Sequence, residues 1–432
     1  MTGRAMPLPY GVGRITPGWL ALAAGAAALV GLGAFAYARQ ALEGLIVTGM
    51  RDWGTMGGAT WALYISFDVY FVGVSFAGIT VAAFIRLLRL DYLRPISRVA
   101  ELLTIVSLIL AALSVLADLG QPLRGIVNLF RYARPQSPFF GTFTMVIAGY
   151  LFASLVYFYL AGRRDAYLMA QHHSPLRWFY RAWAAGYRDT PQERERHQRT
   201  SFWLALGIIP LLITAHSTLG LVFGLMGGRP GWFSALQAPG FVVLAGISGI
   251  GHIVVLAALL RWALGTPERP GMAAFRWLGL ALLVLGLIYV YFTMVEMITA
   301  GYAGREHEQE LAKLVLTGYY APYFWVGMGA LALAIGLLAM QALSGRWSIP
   351  LLVASGVLVN VTAVAKRLII VVPSLTHGSL LPYRTGLYIP TWVEGSIIAG
   401  LMGLGALMIL LFMKVFPIME VPEPSGAEEV RG

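Results

Sequence analysis

Ten apolar segments, each long enough to cross a lipid bilayer, follow one another along this chain of 432 residues. A helix needs about 20 residues to cross the hydrocarbon core, because each residue advances it by about 1.5 Å. A β-barrel would show alternating segments of about ten residues instead. The segments are Trp19–Tyr37, Ala59–Leu88, Val99–Leu119, Gly141–Gly162, Ser201–Leu225, Gly240–Leu264, Trp277–Thr299, Tyr320–Leu343, Ile349–Val372 and Trp392–Phe416. We therefore predict an all-α integral membrane protein, a bundle of about ten transmembrane helices that forms one domain over residues 1–432.

The number and positions of the charged residues support a membrane protein and predict its orientation in the bilayer. Charged residues make up 12% of the chain, about half the share in soluble domains. Of the 31 lysines and arginines, 20 fall on the side of the two termini, nine on the other side, and two, Lys366 and Arg367, inside a segment. The positive-inside rule then places both termini in the cytoplasm. The net charge of +11 thus reflects topology and contact with membrane lipids, and predicts no nucleic-acid partner.

Two hydrophilic stretches interrupt the apolar pattern. Residues 163–200 form a basic cytoplasmic loop in which tryptophans alternate with arginines, as in an amphipathic segment on the inner leaflet or a solvated loop. Residues 418–432 form a tail rich in proline and glutamate, which we expect to be disordered.

Ionisable residues inside the segments concentrate at one depth, the outer half of the membrane. They are Asp68, Asp118, His216, Glu296, Lys366 and Arg367. This clustering predicts a polar pocket reached from the outer face, where histidine and carboxylates exchange protons with a ligand that is oxidised or reduced. The alternative is that Lys366 or Arg367 pairs with one of the acids and holds helices together, with Arg367 favoured by its guanidinium geometry.

Residue types exclude several other chemistries within this chain. There is no cysteine, so disulfides, cysteine-ligated iron–sulfur clusters and thiol catalysis are ruled out. Of the seven histidines only His216 and His252 lie in segments, at different depths, which disfavours a haem held by two histidines. No histidine spacing resembles a zinc site.

Several segments resemble the NrfD or polysulfide-reductase membrane-subunit family. They read WALYISFDVYFVGVSFAGITVAAFIRLLRLDYL from Trp61, LADLGQPLR from Leu116, AHSTLGLVFGLMGGRPGWFSALQAPGF from Ala215, KRLIIVVPSL from Lys366 and YIPTWVEGSIIAG from Tyr388. The resemblance covers most of the chain. Ten helices are similar to the longer branch of the family, found in alternative complex III and in sulfur-metabolising transmembrane complexes.

The resemblance implies a subunit of a bacterial or archaeal cytoplasmic-membrane complex. Such a subunit holds no haem or iron–sulfur cluster and binds menaquinone or ubiquinone as an exchangeable substrate near the outer face. It exchanges electrons with a ferredoxin-like iron–sulfur subunit, which relays them to a molybdopterin or multihaem cytochrome subunit. A non-catalytic membrane anchor and a secondary transporter remain the alternative functions.

The site residues are carried over from the resemblance, except Asp68, which is included for its depth in the second segment. Catalytic roles fall to His216, Asp118 and Asp68, with His216 bonded to a quinone oxygen and an aspartate as the next proton acceptor. The quinone-binding residues are His216, Asp118, Arg124, Glu296, Lys366 and Arg367. The outer stretches Arg51–Trp53 and Arg131–Phe140 are candidate docking surfaces for the iron–sulfur partner. Val222 and Ser75–Gly78 depart from the pattern of the complex III members, which puts proton pumping in question.

Overall fold

Helices carry most of the chain in the computed structural model, which describes residues 8–50, 59–132, 134, 136, 143–266, 268–376 and 387–421. No strand occurs within these residues. The helices are α1 (Pro17–Glu43), α2 (Leu63–Leu87), α3 (Arg94–Asp118), α4 (Pro122–Tyr132), α5 (Phe143–Ala170), α6 (Arg177–Ala184), α7 (Pro191–Gly224), α8 (Gln237–Ala263), α9 (Met272–Ile298), α10 (Glu306–Leu316), α11 (Ala321–Ser344), α12 (Ile349–Thr376) and α13 (Trp392–Val415). A π-helical turn over Thr299–Ala303 extends α9.

Ten of these helices are long and apolar enough to span a membrane, counted over the described ranges. They coincide with the ten predicted segments, so the all-α transmembrane class is confirmed. The short helices α4 and α10 were not predicted, because they are only 11 residues long and lie outside the apolar segments, and α6 lies within the stretch for which an amphipathic segment was one of two expectations.

The predicted basic loop of residues 163–200 is largely helical. It contains the last turns of α5, all of α6 and the first turns of α7. Thr190 caps α7, since its side chain accepts a hydrogen bond from the backbone N–H of Glu193 at 3.3 Å. Arginine and glutamate are good helix formers, so these helices extend beyond the apolar segments.

Helix α2 lies at the centre of the bundle. It packs against α3, α7, α8 and α12, and most of its side chains are buried. By contrast, α1 lies at the periphery and contacts chiefly α13. Functional groups on α2 are therefore enclosed by protein on all sides.

Small residues allow α1 and α13 to approach closely. A Cβ atom at Gly33 would lie 2.7 Å from the Cα of Gly400, closer than atoms can pack. Such close contact between glycines is a common way for transmembrane helices to associate.

The described C-terminal segment stays packed as far as Val421. Ile418 and Met419 are fully buried although the predicted tail begins at residue 418. Residues 422–432 lie outside the described residues, as do the predicted docking stretch Arg51–Trp53 and most of Arg131–Phe140.

Candidate functional site

The predicted outer face is the end of the bundle where α2, α8 and α13 begin and where α1, α3, α9 and α12 end. Most of the predicted site residues lie near this end. They form two groups, one between α8, α9 and α12 and one between α1, α2, α3 and α13, with His216 bonded to α2 between them.

Lys366 on α12 pairs with Glu296 on α9. Its Nζ lies 2.6 Å from Oε2 of Glu296, and the two side chains are 17% and 22% exposed. The amide of Gln237, the first residue of α8, donates to the other carboxylate oxygen at 3.4 Å. The alternative of an ion pair between helices is thus confirmed for this acid, with Lys366 as the cation.

Arg367 is a buried cation of a different kind. It is 2% exposed, and its Cζ lies 4.0 Å above the ring of Phe241. Its Nη2 lies 3.6 Å from the position that a Cβ atom would take at Gly73, so the glycine leaves room for the guanidinium. Among the described residues it has no ion-pair or hydrogen-bond partner, so the expectation that Arg367 would be the structural partner of an acid is wrong.

The side chains of the first group line a narrow cleft between α8, α9 and α12. Its walls include Gln237 and Phe241 from α8, Phe292 and Glu296 from α9, and Arg367 from α12. The cavity measures about 20 Å³, enough for about one water molecule. A larger ligand can occupy the cleft only if the half-buried side chains at its mouth, such as Phe292, move outward.

His216 connects α7 to α2. Its Nδ1 lies 2.9 Å from the carbonyl oxygen of Leu212, one turn earlier on α7, and its Nε2 lies 2.8 Å from that of Val72 on α2. The ring is 1% exposed and meets the ring of Phe76 edge-on at 4.6 Å. A neutral imidazole has one N–H, whereas two carbonyl acceptors face this ring, so only the protonated form can donate to both.

The second group contains two carboxyl side chains that have no hydrogen-bond or ion-pair partner among the residues that the structure describes. Asp68 on α2 is 6% exposed, and no described residue forms a hydrogen bond or ion pair with it. Asp118, the last residue of α3, has a buried Oδ1 that no described residue hydrogen-bonds, and it lies close enough to act electrostatically on Asp68. Buried carboxyls are normally hydrogen-bonded, so this pair is unusual.

Hydrogen bonds hold the rest of this group in place. The hydroxyl of Tyr64, one turn before Asp68, donates to Oε1 of Gln40 on α1 at 2.5 Å. The Gln40 amide donates to the carbonyl oxygen of Ala117 at 2.7 Å, beside Asp118. These bonds tie α1, α2 and α3 together around the two aspartates.

Glu394 is a buried acid that the prediction missed. It is fully buried in the first turn of α13 and accepts hydrogen bonds from the Tyr388 hydroxyl at 2.7 Å and from the backbone N–H groups of Gly49 and Thr391 at 2.8 and 2.9 Å. Burial and the neighbouring carboxylate raise the pKa of Tyr388, which therefore stays protonated as the donor. The spacing Thr391-x-x-Glu394 is a capping-box pattern, which predicts the start of a helix here but not the burial of the acid.

Helix α2 brings the two groups near each other. Asp68, Val72 and Gly73 fall within five residues, about 7.5 Å along the helix axis. Asp68 is close enough to Asp118 for an electrostatic effect, the carbonyl oxygen of Val72 is bonded to His216, and Gly73 lies beside the guanidinium of Arg367. Arg124, by contrast, is exposed on α4, and among the described residues no contact joins it to the other predicted site residues.

Comparison with known proteins identifies relatives over nearly the whole chain. A protein of Halobacterium salinarum provisionally named as a membrane subunit of dimethyl sulfoxide reductase is 29% identical, over 95% of this chain and 94% of its own. A selenate reductase subunit of Mesobacillus selenatarsenatis is 24% identical, over 86% and 88%. The Hdr-like menaquinol oxidoreductase integral membrane subunit of Archaeoglobus fulgidus is also 24% identical, over 94% of each chain.

A family model agrees with these relatives. The model described as polysulphide reductase, NrfD, matches residues 53–377, about three quarters of the chain. The match includes α2 to α12. It therefore contains the residues of both groups except those on α1 and α13. This chain is a multi-pass membrane protein that belongs to the NrfD polysulphide reductase family.

Proposed function

We propose that this protein is the quinone-reactive membrane subunit of a multi-subunit respiratory oxidoreductase in a bacterial or archaeal cytoplasmic membrane. It exchanges electrons between menaquinone or ubiquinone and an iron–sulfur partner subunit, which passes them to a molybdopterin or multihaem cytochrome subunit. The relatives named as reductase and menaquinol oxidoreductase membrane subunits support this assignment. Both termini lie in the cytoplasm, which puts the site near the opposite surface.

The observation that carries the proposal is the buried guanidinium of Arg367, which has no ion-pair or hydrogen-bond partner among the described residues. Burying an arginine without an anion is unfavourable in free energy, because no ion-pair attraction offsets the loss of hydration. A quinone carbonyl oxygen can accept a hydrogen bond from it, while the isoprenoid tail stays in the lipid. The cleft between α8, α9 and α12 offers this arrangement beside the Lys366–Glu296 pair.

Oxidation of a quinol releases two electrons and two protons, and the proposed site has groups for the protons. The carboxylate of Glu296 can accept one proton, and an ionised Asp68 or Asp118, neither of which has a hydrogen-bond or ion-pair partner among the described residues, can accept the other. His216 acts in this scheme only when one ring nitrogen leaves its backbone carbonyl and turns to the quinone. The electrons leave through the partner, since this chain has no cysteine to hold a cluster.

A non-catalytic anchor is the second candidate function. Two observations favour it, since His216 is bonded on both sides and Glu296 is neutralised by Lys366. In an anchor these contacts would only join helices, and Arg367 would be a packing residue stacked on Phe241.

The test replaces Arg367 in the purified native complex. We expect Arg367→Gln to lower quinol-dependent electron transfer at least tenfold, while the partners stay bound and keep their activity with a soluble electron donor or acceptor. Arg346→Gln is the matched control, because Arg346 is exposed in the turn between α11 and α12. Quinol turnover equal to that of the control would favour the anchor.

A further inference from the structure

A large basic cavity opens at the opposite, predicted inner face. It measures about 960 Å³ and lies between the C-terminal end of α2, the start of α3, α5, α7 and the turn between α8 and α9. Seven arginines line it against five acidic residues, an excess of two positive charges. The cavity therefore favours an anion.

Some of these arginines are already engaged. Arg86 pairs with Glu420 at 3.2 Å and Arg94 with Asp91 at 2.9 Å. Arg164 lies 3.4 Å from Asp189, yet its Nε and Nη2 are buried and have no hydrogen-bond partner among the described residues. With the Arg98–Asp165 pair at 2.8 Å, three of the five acidic residues that line the cavity are engaged.

Other arginines of the cavity have no partner among the described residues. Arg89 and Arg269 have no ion pair or side-chain hydrogen bond among the described residues, and both are exposed at the cavity wall. Arg89 follows α2 and Arg269 precedes α9, so guanidinium groups from two separate turns line the same cavity. Arg199, Glu195 and Glu268 also line the cavity without an ion pair to any described residue, so three such arginines face two such carboxylates, an excess of one positive charge.

An apolar groove continues from this cavity along α9. The groove measures about 560 Å³, and its walls include Trp277, Leu280 and Trp347. Tyr92 lines both the groove and the cavity, and the successive residues Gly271 and Met272 line one each. A basic cavity and an apolar groove therefore meet at an interfacial tyrosine.

We propose that the cavity and groove together bind one anionic phospholipid. The phosphodiester lies between Arg89 and Arg269, since guanidinium groups bind phosphate through paired hydrogen bonds. An acyl chain follows the groove over Trp277, and Tyr92 lies at the level of the glycerol, where aromatic side chains are favoured. A free phosphate would fill only the cavity and leave the groove unused.

This site is independent of the proposed quinone site. The two lie at opposite ends of the bundle, because the lipid cavity adjoins the end of α2 and the start of α9, whereas the quinone cleft adjoins the end of α9. Loss of lipid binding would leave the assignment of Arg367 untouched.

The experiment is native mass spectrometry of the delipidated complex titrated with defined probes. We expect one dioleoyl-phosphatidylglycerol per copy of this chain, at least tenfold tighter than dioleoyl-phosphatidylcholine or glycerophosphate. The double variant Arg89→Gln/Arg269→Gln should lose this preference, and Arg346→Gln should keep it. Both replaced side chains are exposed, so the variant should fold, which its melting temperature checks.

Three outcomes would overturn the proposal. Equal binding of phosphatidylcholine would indicate non-selective boundary lipid. Glycerophosphate binding as tight as the full lipid would indicate a site for free phosphate alone. Unchanged phosphatidylglycerol binding by the folded double variant would remove the two arginines from any lipid site.

Discussion

Lys366 and Arg367 are neighbours on α12, yet one is ion-paired and the other has no ion-pair partner among the described residues. Nζ of Lys366 lies 2.6 Å from Glu296 on α9, whereas the guanidinium of Arg367 stacks on Phe241 of α8 at 4.0 Å. Consecutive residues on a helix point about 100° apart, so the two cations face different neighbours. Their replacement should therefore have different effects.

Lys366→Met and Glu296→Gln should each lower the stability of the protein, because each leaves the other member of the pair without its partner in a largely buried position. We expect a loss of about 1–3 kcal/mol for each single variant. The double variant should be more stable than the sum of the two losses predicts. Thermal unfolding in detergent measures this, and strict additivity would mean that the pair contributes nothing.

Asp118→Asn should leave stability nearly unchanged, since Oδ1 of Asp118 has no hydrogen-bond partner to lose among the described residues. Glu394→Gln is the matched contrast, because this carboxylate accepts four hydrogen bonds and its replacement should cost about 1–3 kcal/mol. The melting temperatures of the two variants should thus separate. If Asp118→Asn were the more damaging of the two, Asp118 would have a structural partner.

His216→Ala should reduce quinol turnover by about 100-fold if the imidazole exchanges protons. The measurement is quinol-dependent electron transfer in a complex that retains all the subunits of the wild type. His216→Gln is a useful companion, because an amide can still donate to the carbonyl oxygen of Val72 but cannot exchange protons. Normal turnover in His216→Gln would assign His216 to the packing of α7 against α2.

Gly33→Val should destabilise the contact between α1 and α13. The added Cβ would meet the backbone of Gly400 at 2.7 Å, and overpacking of this kind costs about 1–3 kcal/mol. Gly31→Val is the control on the same helix, since a Cβ there meets nothing within 4 Å. Equal melting temperatures for the two variants would contradict the packing of these helices.

Hydropathy was enough to predict the spanning helices, because a bilayer demands about 20 apolar residues wherever a helix crosses it. Segment boundaries also placed Glu296, Lys366 and Arg367 at one depth, and the structure brings them to one cleft. Depth alone could not predict which side chains pair, because pairing depends on the direction in which each side chain points around its helix. The Lys366–Glu296 pair and the neighbours of His216 therefore required the structure.

Glu394 was missed for a related reason. It lies at the very start of α13, where an acid is common on any helix and carries little information about burial. Only the packing of the segment around Gly49 and Tyr388 over it shows that it is enclosed. Short helices such as α4 escaped prediction because their apolar residues do not form a long run.

The most direct test of the quinone assignment is photochemical cross-linking. A photoreactive quinone analogue would be bound to the native complex and illuminated, and its adducts would be mapped by mass spectrometry. We predict adducts on the walls of the cleft, at Phe241 or Phe292, and their suppression by Arg367→Gln or by excess natural quinone. Adducts confined to other helices, unaffected by Arg367→Gln, would contradict the assignment.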